Sequence, residues 1–278
     1  MPIYTLAKAL GIIMAVVVVK RQKKCKESLS FSTNNQKRFS MYLKTWLVTV
    51  IFCLSITGIY SQTPPKDLHQ NWNTLLTTYV DKQGNVDYKN LKGCAPKIDA
   101  YLAKLSANAP NAHWTKNEKL AFYINLYNAG TVKLILDHYP LKSIKDISKP
   151  WDRDWLKVGN QTLSLGDIEH KILRKMKEPR IHFAINCASY SCPALKNEAF
   201  FAVTMEKQLE ETAYSFINDS KRNKISAEKI ELSEIFKWFK KDFTTKGSLL
   251  DFINPYTTTT LTNKTKVSYL DYNWSLNE

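Results

Sequence analysis

Glycine is scarce, with eight in 278 residues, and no Gly/Ser-rich or Pro-rich linker interrupts the chain after Gln62. No domain boundary is therefore expected beyond that point, and no internal repeat suggests a solenoid. Long hydrophobic runs are also missing. The apolar stretches Leu10 to Val19 and Trp46 to Ile59 fall short of the roughly 18 to 20 residues a membrane-crossing helix needs, which argues against a stable membrane span. No phosphate-binding glycine loop, haem site or hydrolase serine motif is present, so no cofactor is expected. Five cysteines occur in all, of which Cys94, Cys187 and Cys192 follow the apolar stretches. An odd number leaves at least one thiol unpaired or paired between chains.

The chain is 44% hydrophobic and 23% charged, enough apolar material for a real core. Its net charge of +15 would suggest nucleic acid if it were concentrated on the folded part. Residues 1–61 carry nine Lys/Arg against the single acid Glu27, leaving +7 spread over the remainder. That is a mildly basic solvated surface rather than an aromatic-laced groove, and no nucleic-acid partner is expected. Met41 to Lys44 gives a short basic start, Trp46 to Ile59 an apolar core, and Ser61 a small residue before Gln62, the pattern of a secretory signal. The expected organisation is an upstream extension or mis-called start at 1–40, a signal peptide at 41–61 and one globular domain at 62–278. The protein is then exported, to the periplasm or outside the cell.

Within the domain, Leu68, Trp72, Leu75, Leu76 and Tyr79 recur at helical spacing, and a turn follows at Asp81 to Asn85. A second helix is expected after Pro96. The strongest helical signal begins at the capping-box pattern Thr115-Lys-Asn-Glu118 and runs to Pro140. It is apolar nearly all round, so Asn125 and Asn128 must either bond inside the core or line a cleft. Trp155 to Val158 and Gln161 to Leu165 read as a hairpin about Gly159-Asn160, followed by a short helix from Gly166 to Lys177. Ile181, Phe183 and Ile185 alternate with His182, Ala184 and Asn186, which predicts a strand over Arg180 to Cys187. A long helix is expected over Asn197 to Ile217, then a hairpin near Ala227-Glu228, a helix carrying Ile235, Phe239 and Phe243, and a last strand near Val267 to Tyr272. The fold class is α+β, a single domain with several helices packed on a small, mainly antiparallel sheet.

Two segments can carry chemistry. In Asp167 to Arg174, Glu169 shares a side with Ile168, Ile172 and Leu173, where an unpaired carboxylate is costly. It either orients an imidazole or binds substrate, or it forms a buried pair with Arg174. In Arg180 to Pro193, the strand runs into a turn rich in Cys, Ser and Asn. A thiolate nucleophile needs a base or positive charge beside it. On an extended strand His182 and Cys187 face opposite ways, which makes His170 the better partner of Cys187 and leaves His182 to meet Cys192. A small Cys187–Cys192 disulfide loop is the competing possibility. A zinc site from His170, His182, Cys187 and Cys192 lacks standard spacing, and no metal is expected.

The segments Phe122 to Ala129, Asp167 to Arg174, His182 to Pro193, Phe236 to Phe243 and Tyr269 to Leu276 together resemble the family catalogued as domain of unknown function 547. The resemblance spans nearly the whole domain and implies motifs without a mechanism. Papain-like and transglutaminase-like thiol enzymes place Cys before His, whereas His170 and His182 here precede Cys187. The leading expectation is a cysteine-dependent hydrolase or acyl transferase acting on peptide-like or envelope material, with Cys187 as nucleophile, His170 as base and Glu169 as its orienter. Asn125, Asn128, Arg174, His182 and Cys192 are the expected binding residues, and the partner is a small-molecule or peptide-like ligand. The alternative is a non-catalytic binding or interaction module with a structural Cys187–Cys192 disulfide.

Overall fold

Pro96 and the Thr115 capping box set the frame. The computed structural model describes residues 63–278, and the expected extension and signal peptide lie outside the described residues. Helix α1 (Gln70–Tyr79) buries Trp72, Leu75 and Leu76. A short α2 (Tyr88–Leu91) is capped by Asp87, and α3 (Ala95–Ala107) has Pro96 in its first turn, where its missing N–H costs nothing. Helix α4 (Lys116–His138) opens with both arms of the capping box, Thr115 accepting from the Glu118 N–H and Glu118 from the Thr115 N–H. Such a cap contributes about 1 kcal/mol. Fifteen of the residues of α4 are buried, so it is the central helix of the fold.

The hairpin of β1 (Leu156–Val158) and β2 (Gln161–Leu163) pairs antiparallel, Leu156 opposite Leu163, and Gly159 takes the positive φ of 56° that its turn requires. It packs close to α4. A Cβ added to Gly130 would lie 3.0 Å from a Leu156 methyl, so the helix carries glycine where the strand passes. The helix expected next is present but wide: Asp167–Leu173 is a π-helix that tightens into a 3-10 turn over Arg174–Met176.

Two expectations need correction. Residues 180–187 are not a strand; Pro179–Phe183 is a 3-10 turn followed by irregular chain. Pro179 offers no N–H to a ladder, and the Glu178 carboxylate holds the Arg180 N–H. The carbonyl of Ala184 and the N–H of Asn186 bond to the Asn128 side chain instead of a neighbouring strand. The helix expected over 197–217 begins only at Met205, as α5 (Met205–Ile217). Upstream, side chains again take the place of helical bonds. Asn125 binds both main-chain groups of Phe200, and Gln208 binds Phe201 N–H and Ala199 C=O.

Strands β3 (Lys224–Ile225), β4 (Lys229–Ser233) and β5 (Lys266–Leu270) form a second sheet, with β3 antiparallel and β5 parallel to β4. Between β4 and β5 lie α6 (Ile235–Trp238), α7 (Lys240–Phe243) and α8 (Leu249–Ile253). The class is α+β, with the strands divided between two sheets. One apolar cluster joins α1, α3, α4 and the hairpin; a second gathers Phe183, Phe216, Phe236 and Phe243 around β4. Ile181 belongs to the first and Phe183 to the second, so His182 sits where the two meet. Among the described residues no helix is long and apolar enough to cross a membrane.

Candidate functional site

At that junction lies a cavity of about 260 Å3, walled by Tyr127, Trp151, Trp238, Phe239, Tyr272 and Trp274 and carrying Glu169, His170, His182, Cys187 and Cys192. The last two rings arrive from the far end of the chain. After β5, the C-terminal segment lies along the cysteine loop, with Tyr190 N–H donating to Ser275 C=O, Ser191 N–H to Asn273 C=O and Asn277 N–H to Ala188 C=O. This pairing delivers Tyr272 and Trp274 to the cavity.

The cysteine loop is tightly specified. Asn186, buried, donates to Pro193 C=O and accepts from Ala188 N–H, which closes the loop across its ends. Ala188 takes a left-handed φ of 57° immediately after Cys187, a conformation that costs a non-glycine residue roughly 1 kcal/mol. Cys187 and Cys192 are free thiols in hydrogen-bond contact, their Sγ atoms 2.7 Å apart. The Cys187 N–H donates to Cys192 Sγ at 2.9 Å. The hydroxyls of Ser189 and Tyr272 lie 3.2 and 3.3 Å from Cys187 Sγ. Burial pushes the Cys187 thiol up, but the bonds from Cys192, Ser189 and Tyr272 outweigh it and bring the group down to about 7. Burial and the adjacent Cys187 drive Cys192 the other way.

Glu169 is buried on the π-helix. Burial and the facing Cys187 raise its carboxyl to about 7, while Arg174 and the Tyr127 hydroxyl act in the opposite direction. Its Oε1 stands 3.8 Å from His182 Nδ1. His182 Nε2 meets Asp242 Oδ2 at 2.8 Å, and its ring stacks on Phe239 at 3.9 Å. Asp242 in turn accepts two bonds from Arg174, at 2.6 and 3.0 Å. Burial alone would raise Asp242, yet His182 and Arg174 hold it well below the usual carboxylate range. An ionised Asp242 takes the Nε2–H of a neutral imidazole, and desolvation keeps His182 below its ordinary value. His182 Nδ1 is then a buried lone pair with no hydrogen-bond partner.

His170 lines the same cavity from its exposed side, 3.4 Å from Arg174 Nη1, and no carboxylate bonds to its ring among the described residues. The loss of the expected strand also removes the argument that kept His182 and Cys187 apart, since both line one cavity. Asn125 and Asn128 spend their amides on main chain, at Phe200 and at Ala184 and Asn186. Sequence reasoning missed Asp242 and Tyr272. Asp242 lies three residues from Phe239 and beside Phe243, an acid at the edge of an apolar stripe, which is the same signal that singled out Glu169. Among the described residues no group of three or more His, Cys, Asp or Glu side chains is arranged to hold a metal ion.

Residues 111–217 match the model of the family described as protein of unknown function, DUF547. The match covers 107 of the 278 residues, and over that stretch the chain is similar to the family. The matched DUF547 stretch holds Asn125, Asn128, Glu169, His170, Arg174, His182, Cys187 and Cys192, and it ends before Asp242 and Tyr272, so the cavity is completed by residues beyond it. No curated protein and no solved structure matches the chain.

Proposed function

We propose that this protein is an exported thiol enzyme that hydrolyses or transfers acyl groups of peptide-like or envelope material through Cys187. The observation that carries the proposal is the unpartnered Nδ1 of His182, buried in the cavity that holds Cys187 while its Nε2 is anchored to Asp242. A neutral imidazole fixed in one tautomer by a carboxylate is how a general base is prepared. In the proposed reaction His182 Nδ1 takes the Cys187 thiol proton as the sulfur attacks the acyl carbon, and the imidazolium returns that proton to the leaving group as its bond to the acyl carbon breaks. Water, or an acceptor hydroxyl or amine, then releases the acyl group from sulfur. Tyr272, whose hydroxyl lies beside the sulfur and accepts from Ser189, is the donor available to the developing oxyanion. The anchored ring moves the base from His170 to His182, with Asp242 as its orienter and Glu169 facing it.

The test is covalent trapping. Incubation with activated thioesters and esters, followed by peptide mapping, is expected to place the acyl group on Cys187, and Cys187→Ala is expected to abolish both the adduct and turnover. Asp242→Asn is expected to slow acylation roughly a hundred- to ten-thousand-fold, because the imidazole loses its tautomer and anchor. Acylation spread equally over Cys94 and Cys187, or turnover that survives Cys187→Ala, would overturn the proposal.

A further inference from the structure

The two cysteines of the site form an asymmetric pair that acyl transfer does not need. Both cysteines line the cavity, but Cys187 is half-buried whereas Cys192 is only 4% exposed. A reagent arriving from solvent therefore meets Cys187 first. Their sulfurs are in direct contact, 2.7 Å apart, which places the two thiols side by side for bond formation. The loop does not depend on such a bond for its shape. Asn186 ties its ends, Arg222 donates to the carbonyls of Cys192 and Tyr190 at 2.7 and 2.9 Å, and the C-terminal segment bonds along its length. A bond that is close to forming and not required by the fold is free to open and close.

We propose that Cys187 and Cys192 form a redox-active dithiol that exchanges with small-molecule disulfides, Cys187 attacking and Cys192 resolving. The Cys187 thiolate attacks one sulfur of the incoming disulfide, forming a mixed disulfide and releasing one thiolate, which is protonated. Cys192 gives up its proton, which goes to that released thiolate or, above about pH 7 where Glu169 in the same cavity is ionised, to its carboxylate. Its sulfur then attacks Cys187, closing the internal disulfide and expelling the second thiolate. Two protein thiols are oxidised and one disulfide is reduced to two thiols. The low Cys187 and raised Cys192 values support this division of labour. The proposal stands independently of acyl transfer, though the closed bond would also occupy the Cys187 sulfur.

The experiment is equilibration of the purified protein in glutathione buffers of varied oxidised-to-reduced ratio, with acid quench, alkylation and peptide mapping. Wild type is expected to lose the mass of two hydrogens in the Cys187–Cys192 peptides as the ratio rises and to regain it when the ratio is reversed, without denaturant. Cys192→Ser is expected to accumulate glutathione on Cys187, and Cys187→Ser to take up none at Cys192. A wild-type pair that stays reduced in fully oxidised buffer, or closes and reopens only after unfolding, would overturn the proposal. So would adduct on Cys192 in place of Cys187.

Discussion

Burial acts on opposite charges at His69 and Glu169, and the pH dependence of stability follows from the pair. His69 is buried against the Tyr101 hydroxyl at 2.7 Å, and desolvation, then Lys104, lower its pKa from 6.5 to about 4. Below pH 6.5 the unfolded chain takes up a proton that the folded chain refuses, so stability present above 6.5 is lost as pH falls toward 4. The full effect is on the order of 3 kcal/mol. Urea denaturation between pH 4 and 7 is expected to show a weaker dependence in His69→Gln than in wild type; equal slopes would exclude His69 as the source. Glu169 gives the reverse sign. Its carboxyl stays protonated in the fold up to about 7 but ionises near 4.5 when unfolded, so the fold loses stability as pH rises through that window. Glu169→Gln should therefore be more stable than wild type at pH 8, by at most about 3 kcal/mol, with a smaller difference at pH 4. At Ala188, glycine relieves the left-handed φ, and Ala188→Gly is expected to gain up to about 1 kcal/mol in the same measurement; a loss would mean that the methyl packing outweighs the strain.

The elements that the sequence made legible carry their own boundaries. Thr115 and Glu118 start α4, Pro140 follows its end, and Gly159 turns the hairpin, so local chemistry decides each. The segments misread are those whose backbone is held by a distant side chain. Alternation at Ile181, Phe183 and Ile185 is real, but a 3-10 turn buries His182 with its neighbours, and period-two spacing cannot tell the two apart. The amides responsible, on α4, were visible as polar residues on an apolar helix, though their targets were not. Asn128→Ala leaves Ala184 C=O and Asn186 N–H without their partner and is expected to cost about 3 kcal/mol while loosening the chain that leads into Cys187. Asn125→Ala acts at Phe200 and should cost a comparable amount without changing Cys187 alkylation at temperatures where both variants are folded. Equal effects on alkylation would show that the two anchors are not separable.

Across the whole molecule, the candidate site is a meeting of segments far apart in the chain: Glu169 from the π-helix, His182 and the cysteines from the following loop, Asp242 from α7 and Tyr272 from beyond β5. The sequence revealed the first group because its polar residues are concentrated. Asp242 and Tyr272 acquire their roles only through the packing of the second aromatic cluster and the pairing of the C-terminal segment with residues 188–191. Phe183 links this architecture to the site, stacking on Phe216 and Phe243 one residue after His182. Phe183→Leu is expected to retain the fold at a cost of about 1 kcal/mol yet reduce acylation of Cys187, because the neighbouring imidazole loses its fixed position.

The most direct measurement is the rate of iodoacetamide alkylation at each cysteine of the reduced protein from pH 5 to 10, followed by peptide mapping. Cys187 is expected to react with a midpoint near 7, ahead of Cys192, whose thiol burial holds up. The Cys187 midpoint should move upward in Tyr272→Phe, which removes one donor to its sulfur. A Cys187 that titrates at or above 9, the value of an unperturbed thiol, or that reacts no faster than Cys192, would contradict the assignment of Cys187 as the nucleophile.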